Sequence, residues 1–317
     1  MRIVIIGGTG HVGTYLVPRL VENHHHVVSV SRASKEPYTP NPAWEKVEKV
    51  VIDKEKEEAE GTFGEKILNL EPDAVIDMIC FAPESAQHLV EALKGKVRHM
   101  LFCGTIWIHG HSVTVPTVED QSINPFGEYG IQKARMTEYL LKEARVNQLP
   151  ITIIHPGHIV GPGWHPINPL GNFNPRIFTA LVRGETVHFP TLGLETHHHV
   201  HADDVAQAFV KALTNWKNAC GEDFHVVSEA AVTLRGYAET VASWFNREAH
   251  LKYSAGEEWK QGFSEEDIEY TWAHILHSSN CSIEKAKKNL GFKPRYTSFE
   301  ALHESLTWLI DNSVVNP

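Results

Sequence analysis

Residues 7–13 read Gly-Gly-Thr-Gly-His-Val-Gly, directly after the apolar run Arg2–Ile6 and directly before an amphipathic stretch that begins near Val12. The run satisfies G-x-G-x-x-G counted from Gly8 and G-x-x-G-x-x-G counted from Gly7. Glycine accepts positive φ and lets backbone N–H groups approach a pyrophosphate, while the N-terminus of the following helix adds partial positive charge. A turn that only reversed the chain would need fewer glycines. Between a strand and a helix, such a loop marks the first crossover of a dinucleotide-binding βαβ unit. Gly7, Thr9, Gly10, His11, Val12 and Gly13 are its expected cofactor contacts.

The first half of the chain continues the pattern. Apolar runs expected as strands at Arg2–Ile6, His26–Val30, Val47–Ile52, Ala74–Ile79, Val97–Cys103 and Ile151–His155 alternate with amphipathic stretches at Val12–Glu22, Glu65–Leu70, Glu84–Leu93 and Glu128–Asn147. Continuous apolar strands separated by helices indicate a parallel sheet covered on both faces, wound by right-handed crossovers. The expected fold is α/β: a doubly wound parallel sheet of Rossmann type with a smaller, mainly helical C-terminal substrate domain. Nine Gly and Pro residues crowd between Pro156 and Pro175, which predicts a long loop and a domain boundary. Beyond it we expect a helix at Arg176–Arg183, strands near Thr186–Phe189 and Thr196–Val200, a helix at Asp203–Leu213 and a strand at Asp223–Val227. From Thr233 onward the pattern is mainly helical, with Ser264-Glu-Glu-Asp267 as a capping box and Phe299–Leu309 as a closing helix. Residues 1–160 and 195–228 are expected to form the dinucleotide-binding domain, and residues 161–194 and 229–317 the interleaved substrate domain. The charged stretch Asp53–Glu60 reads as a solvated turn.

Bulk properties narrow the partners. A formal net charge of −10, with no Lys/Arg-rich run, argues against nucleic acid. No apolar run approaches membrane-spanning length, and Ile3–Ile6 is too short for the core of a signal peptide, so cytoplasm is expected. Cys80, Cys103, Cys220 and Cys281 are far apart and form no Cys-x-x-Cys pair, which suits a reducing compartment without structural zinc.

Chemistry enters with Tyr129-Gly-Ile-Gln-Lys133. Residues four apart share a helix face, which puts Lys133 one turn from Tyr129. An ammonium roughly 4 Å from a phenolate, at an effective dielectric near 20, favours the charged form by at most about 4 kcal/mol. That would move a tyrosine from about 10 toward roughly 7, where acid/base work is efficient. Cofactor choice rests on the end of the second strand, Val30-Ser31-Arg32-Ala33-Ser34-Lys35. An acidic residue there would bind the ribose 2′-OH of NAD; here Arg32 and Lys35 suit the 2′-phosphate of NADP, with NAD as the alternative.

Taken together, these residues resemble the extended short-chain dehydrogenase/reductases, the NAD-dependent epimerase/dehydratases. The resemblance spans nearly the whole chain. It is carried by the loop Gly7–Gly13, Leu101-Phe-Cys-Gly-Thr-Ile-Trp-Ile-His-Gly110, Tyr129 to Lys133, His155-Pro-Gly-His-Ile-Val-Gly-Pro-Gly163, His201-Ala-Asp-Asp-Val205 and Leu290-Gly-Phe-Lys-Pro294. It implies that Tyr129 is the acid/base, that Lys133 lowers its pKa and holds the nicotinamide ribose, and that Thr105 hydrogen-bonds the reacting oxygen. It further implies Asp53 near the adenine, Phe81 and Ala82 along the cofactor, Pro156 to Ile159 beside the nicotinamide, and a homodimer through the Tyr129 helix.

Departures from the family pattern matter as much. Its 4,6-dehydratases carry two carboxylates directly after the catalytic hydroxyl; here Ile106 and Trp107 stand there, and neither transfers protons. Its nucleotide-sugar epimerases carry an arginine for the substrate diphosphate where this chain has His197, which lacks the guanidinium fork. His197, His199 and His201 alternate, so in a strand they would share a face, yet no metal is expected there. Trp107, His158, Trp164, His165, Asn172 and His197 are the candidate substrate contacts, the loop residues among them expected above the substrate. The leading expectation is an NAD(P)-dependent oxidoreductase or epimerase acting on a small polar carbonyl or sugar-like substrate. The alternatives are a nucleotide-sugar epimerase and a non-catalytic NADP-sensing or RNA-associated binding protein.

Overall fold

The computed structural model describes residues 1–32, 36–254 and 256–317. In chain order its strands are β1 (Arg2–Ile6), β2 (His26–Ser31), β3 (Glu48–Val51), β4 (Ala74–Asp77), β5 (His99–Cys103), β6 (Ile151–Pro156), β7 (His158–Val160), β8 (Val187–Phe189), β9 (Thr196–His197), β10 (His199–His201), β11 (Asp223–Val226), β12 (Val232–Thr233) and β13 (Leu251–Tyr253). The helices are α1 (His11–Glu22), α2 (Lys54–Ala59), α3 (Phe63–Leu68), α4 (Pro83–Leu93), α5 (Gly127–Arg145), α6 (Arg176–Arg183), α7 (Ala202–Thr214), α8 (Trp216–Ala219), α9 (Leu234–Trp244), α10 (Glu265–His277), α11 (Glu284–Leu290) and α12 (Ser298–Asp311). Seven strands form one parallel sheet in the order β11-β6-β5-β4-β1-β2-β3. The order reverses between β1 and β4, and in doubly wound sheets the ligand crevice opens at the carboxyl ends of strands at such a switch point.

β1 shows why the sheet forms. Ile3 and Ile5 face one apolar cluster with Leu16 and Val17 of α1 and Phe209 of α7, while Val4 and Ile6 face a second with Leu89 of α4 and Met136 and Leu140 of α5. A period of two on a strand buried on both sides leaves no polar face, hence the continuous apolar run. Burying each such side chain stabilises the fold by about 1.5–3 kcal/mol. A third cluster, including Phe178, Phe189, Tyr237, Leu302 and Leu306, forms the core of the C-terminal part.

Several expectations shift. Asp53–Glu60 is not a solvated turn but helix α2, capped by Asp53. Lys54 turns inward to the fully buried Asp77 at 2.7 Å, with Glu58 at 3.7 Å, so its charge is neutralised by a carboxylate distant in sequence. The stretch Thr196–Val200 divides into β9 and β10, which pair with β12 and β7 respectively. Ile283, Ala286, Leu290 and Phe292, grouped by sequence with the C-terminal lobe, bury themselves in the α1/α7-side cluster. The capping box of Ser264 and Asp267 is present at the start of α10.

Candidate active site

The glycine loop lies at the switch point. Gly7 has φ +83° and donates its N–H to the Val30 carbonyl at 2.9 Å, tying the loop to β2. A Cβ on Gly13 would collide with the Gly8 carbonyl oxygen, so glycine is what lets α1 start this close to the strand. No side chain caps α1 and no acid occupies its first turn, which leaves a helix N-terminus suited to an anion. These residues fit a dinucleotide pyrophosphate. His11, in that first turn, is buried with neither ring nitrogen hydrogen-bonded; burial, aided by the His201 charge, pushes it down to about 3.

Other expected cofactor residues surround this point. Arg32 is exposed just past β2, and its expected companion Lys35 lies outside the described residues. Asp53 is exposed, and its Oδ1 accepts the Lys56 N–H at 3.3 Å. Val12 is buried in α1, Ala82 is the N-cap of α4, Phe81 is exposed, Pro156 ends β6 and Ile159 lies in β7. Trp164, expected above the substrate, instead stacks on His11 at 5.6 Å and 14°. The sharp turn at Gly163, with φ +90° and Tyr38 packed against it, sends the indole toward α1. His165 is exposed beside it.

Tyr129 and Lys133 occupy successive turns of α5. The buried Lys133 Nζ donates to the carbonyl oxygens of Cys80 (2.6 Å) and Cys103 (2.7 Å), and stands 5.9 Å from the Tyr129 ring centroid and 4.8 Å from that of Phe81. Burial lowers its pKa, against the pull of the Cys103 thiol. Tyr129 is 45% accessible, yet burial pushes its phenol up to about 12; Cys103 adds to the rise and the Thr105 hydroxyl opposes it. The expected depression toward 7 is therefore not found: burial of the phenol dominates, and the ammonium is engaged by two carbonyls. Thr105 follows β5, and its Oγ1 accepts the Trp107 N–H at 3.3 Å. Its backbone N–H donates to His155 Nδ1 at 3.1 Å. The other nitrogen of that imidazole lies 3.4 Å from Asp223, whose carboxyl, despite burial, is held well below the usual range by His155 and Lys285.

Beyond Tyr129 the cleft is aromatic. Trp107 meets Tyr129 edge-on at 6.0 Å, lies 6.1 Å from His158 and stacks on His277 at 4.0 Å. His158 in turn contacts His197 (5.2 Å) and His274 (4.9 Å). Trp107, His158 and His197, all sequence candidates, thus come together. His201 does not join them: its ring stacks on Tyr296 at 4.0 Å and its Nε2 meets Glu304 at 3.1 Å. Asn172 is a second correction. It is fully buried, accepting from Asn168 Nδ2 at 2.6 Å and donating to Thr271 Oγ1 at 2.8 Å, so it ties the loop to α10 with both ends of its amide engaged. His274 and His277 of α10 were missed, although their three-residue spacing on one helix face was available. Among the described residues no three His, Cys, Asp or Glu are arranged to hold a metal ion.

Comparison with known proteins sets this cleft in context. The chloroplast stem-loop binding protein of 41 kDa b of Arabidopsis thaliana is 27% identical, over 96% of this chain and 78% of that protein. The UDP-glucose 4-epimerase of Mycolicibacterium smegmatis is 28% identical, over 67% of this chain and 73% of that one. Among solved structures, the UDP-glucose 4-epimerase of Thermotoga maritima, determined with UDP-glucose, superposes with a TM-score of 0.75 at 23% identity, covering 99% of this chain and 100% of that one. The profile of the NAD dependent epimerase/dehydratase family matches residues 3–226, and with its switch-point glycine loop and seven-stranded parallel sheet the chain belongs to that family of enzymes.

Proposed function

We propose that the protein is an NADP-preferring oxidoreductase or epimerase that transfers hydride at a carbinol or carbonyl carbon, with Tyr129, Thr105 and Lys133 as its catalytic set. The observation that carries this reading is that Lys133, one turn from Tyr129, is held on the carbonyls of Cys103 at the end of β5 and of Cys80 after β4, with Thr105 against the Tyr129 phenol and Ile79, next to Cys80, packed on Gly7. When bound, the nicotinamide supplies the hydride acceptor or donor. Lys133 has three N–H donors, and two are spent on carbonyls, so one remains for a ribose hydroxyl. The Thr105 oxygen accepts from Trp107 while its O–H faces the Tyr129 phenol, so a substrate oxygen seated between the two would take over that O–H. The Tyr129 phenol holds the proton that passes to or from that oxygen. The exposed Arg32 supports a 2′-phosphate, hence NADP over NAD.

Partners follow from the same surface. The net charge of −10 speaks against RNA as the main ligand. No described helix is long and apolar enough to cross a membrane, and four free cysteines support a reducing compartment, which we take to be the cytoplasm. A homodimer through α5 completes the proposal.

Two measurements test it. Tyr129→Phe should lower turnover at least about 100-fold while leaving NADPH affinity intact, since one positioned proton-transfer group contributes on that order; full activity in the variant would end the assignment. NADPH should bind more tightly than NADH by fluorescence titration, and Arg32→Ala should erase the difference; equal affinities in the parent protein would remove the role given to Arg32.

A further inference from the structure

His158, His197, His199 and His274 meet one ring beyond Trp107, with centroids 4.9–6.0 Å apart in the pairs 158–274, 158–197, 197–274, 158–199 and 197–199. His197 and His199 are at most 1% exposed, yet all four of their ring nitrogens lack a hydrogen-bond partner. Their neighbours in the same run are satisfied. His198 Nδ1 accepts the Cys281 N–H at 3.0 Å and its Nε2 meets the Ser228 carbonyl at 2.9 Å, while His201 is held by Asp203 and Glu304. Within the run 197–201, the imidazoles with both nitrogens unpartnered are therefore His197 and His199, the two that contact His158.

A buried polar atom left unpaired costs about 1–3 kcal/mol, and two adjacent rings with every nitrogen unpaired call for a water, an ion or a ligand to satisfy them. Burial and mutual repulsion hold His158 and His197 well below the ordinary value and His199 at about 3, so the rings are neutral at pH 7. The charges that act most on these three rings come from other imidazoles, not from lysine or arginine. A neutral imidazole offers one donor and one acceptor, and a hydroxyl, which both donates and accepts, can engage either. Phosphate oxygens only accept, and their recognition calls for positive charge.

We infer that His158, His197, His199 and His274 form a subsite that reads the hydroxyl groups of an uncharged polyhydroxylated substrate, a free sugar or cyclitol, in place of a nucleotide diphosphate. This rests on the reading of the Tyr129 cleft as the reaction site and names the substrate class it takes.

The test separates binding from turnover. Saturation-transfer NMR on the NADP-loaded protein would compare a panel of free hexoses, pentoses and inositols with UDP-galactose and UDP-glucose. At least one free polyol should bind, and His197→Phe, which keeps a flat ring but no polar atom, should weaken it at least tenfold. His197→Gln, with a donor and an acceptor, should recover most of that loss, which a purely structural role for the ring would not predict. Thermal melting checks that each variant folds; should His197→Phe not fold, His199→Phe, expected to weaken polyol binding likewise, and the unmodified protein's own panel still decide. Tighter binding of either UDP-sugar than of every free polyol would overturn the inference, as would no polyol binding or stoichiometric zinc held by these rings. NADPH absorbance scores hydride transfer separately. His197-dependent polyol binding with neither NADPH formation nor an epimerised product would sink the catalytic reading and leave the subsite standing, whereas turnover of UDP-sugars only would do the reverse.

Discussion

At the scale of the residue, with Tyr129 as the proposed acid/base, its protonation state would decide the direction in which the cleft works best. A phenol pushed up to about 12 is protonated at neutral pH and donates a proton as a carbonyl is reduced; oxidation needs the phenolate. Oxidative kcat/KM should therefore rise about tenfold per pH unit between roughly pH 7 and 9, with the reductive rate nearly flat over that range. A pH–rate series in both directions checks this, and an oxidative rate already level at pH 7 would contradict it. The four-residue spacing announced that Tyr129 and Lys133 share a helix face. It could not announce where the ammonium points, since the carbonyls of Cys80 and Cys103 that hold it come from segments separated in sequence by 53 and 30 residues from Lys133.

At the scale of the element, two loops do opposite work. The Gly7–Gly13 turn is tight because α1 packs directly on the strand that feeds it. Gly13→Ala places a methyl group against the Gly8 carbonyl oxygen, so the helix must move; we expect loss of detectable cofactor binding by calorimetry, with secondary structure retained by circular dichroism. Unchanged affinity would show that the turn tolerates a side chain. The loop after β7 is instead held by its own asparagines. Asn172→Ala removes hydrogen bonds from a fully buried amide, taking the donor from Thr271 Oγ1 and one of two acceptors from Asn168 Nδ2, for a loss of about 2–4 kcal/mol in urea unfolding. Strands and helices of the sheet were legible because their periods are local. Asn172 was misread as a substrate contact because a polar residue in a Gly/Pro-rich loop looks the same whether it faces ligand or another loop residue.

At the scale of the whole molecule, buried histidines make the fold sensitive to acid. His99, His198, His274 and His277 sit at about 4, and His11 and His199 at about 3, against an ordinary 6.5, with burial the main cause in each. The folded values are depressed, so the unfolded chain takes up protons first as pH falls. Stability present above about 6.5 is then lost progressively toward about 4. Each group contributes at most about 1.4 kcal/mol per pH unit, and three of them would remove about 5 kcal/mol between pH 6.5 and 5. Urea midpoints measured from pH 7.5 to 5 should fall steeply below 6.5; a flat profile would mean that these rings gain protons freely in the folded state. The Rossmann architecture, the glycine loop and the Tyr129–Lys133 pair were determined by the sequence alone, because each depends on the order and spacing of neighbouring residues. The tertiary structure alone decided that Trp164 packs on His11, that Lys54 enters the core against Asp77, and that α10 brings His274 beside His158 and His197. Those contacts join segments far apart in the chain, and only packing selects which distant side chain meets which.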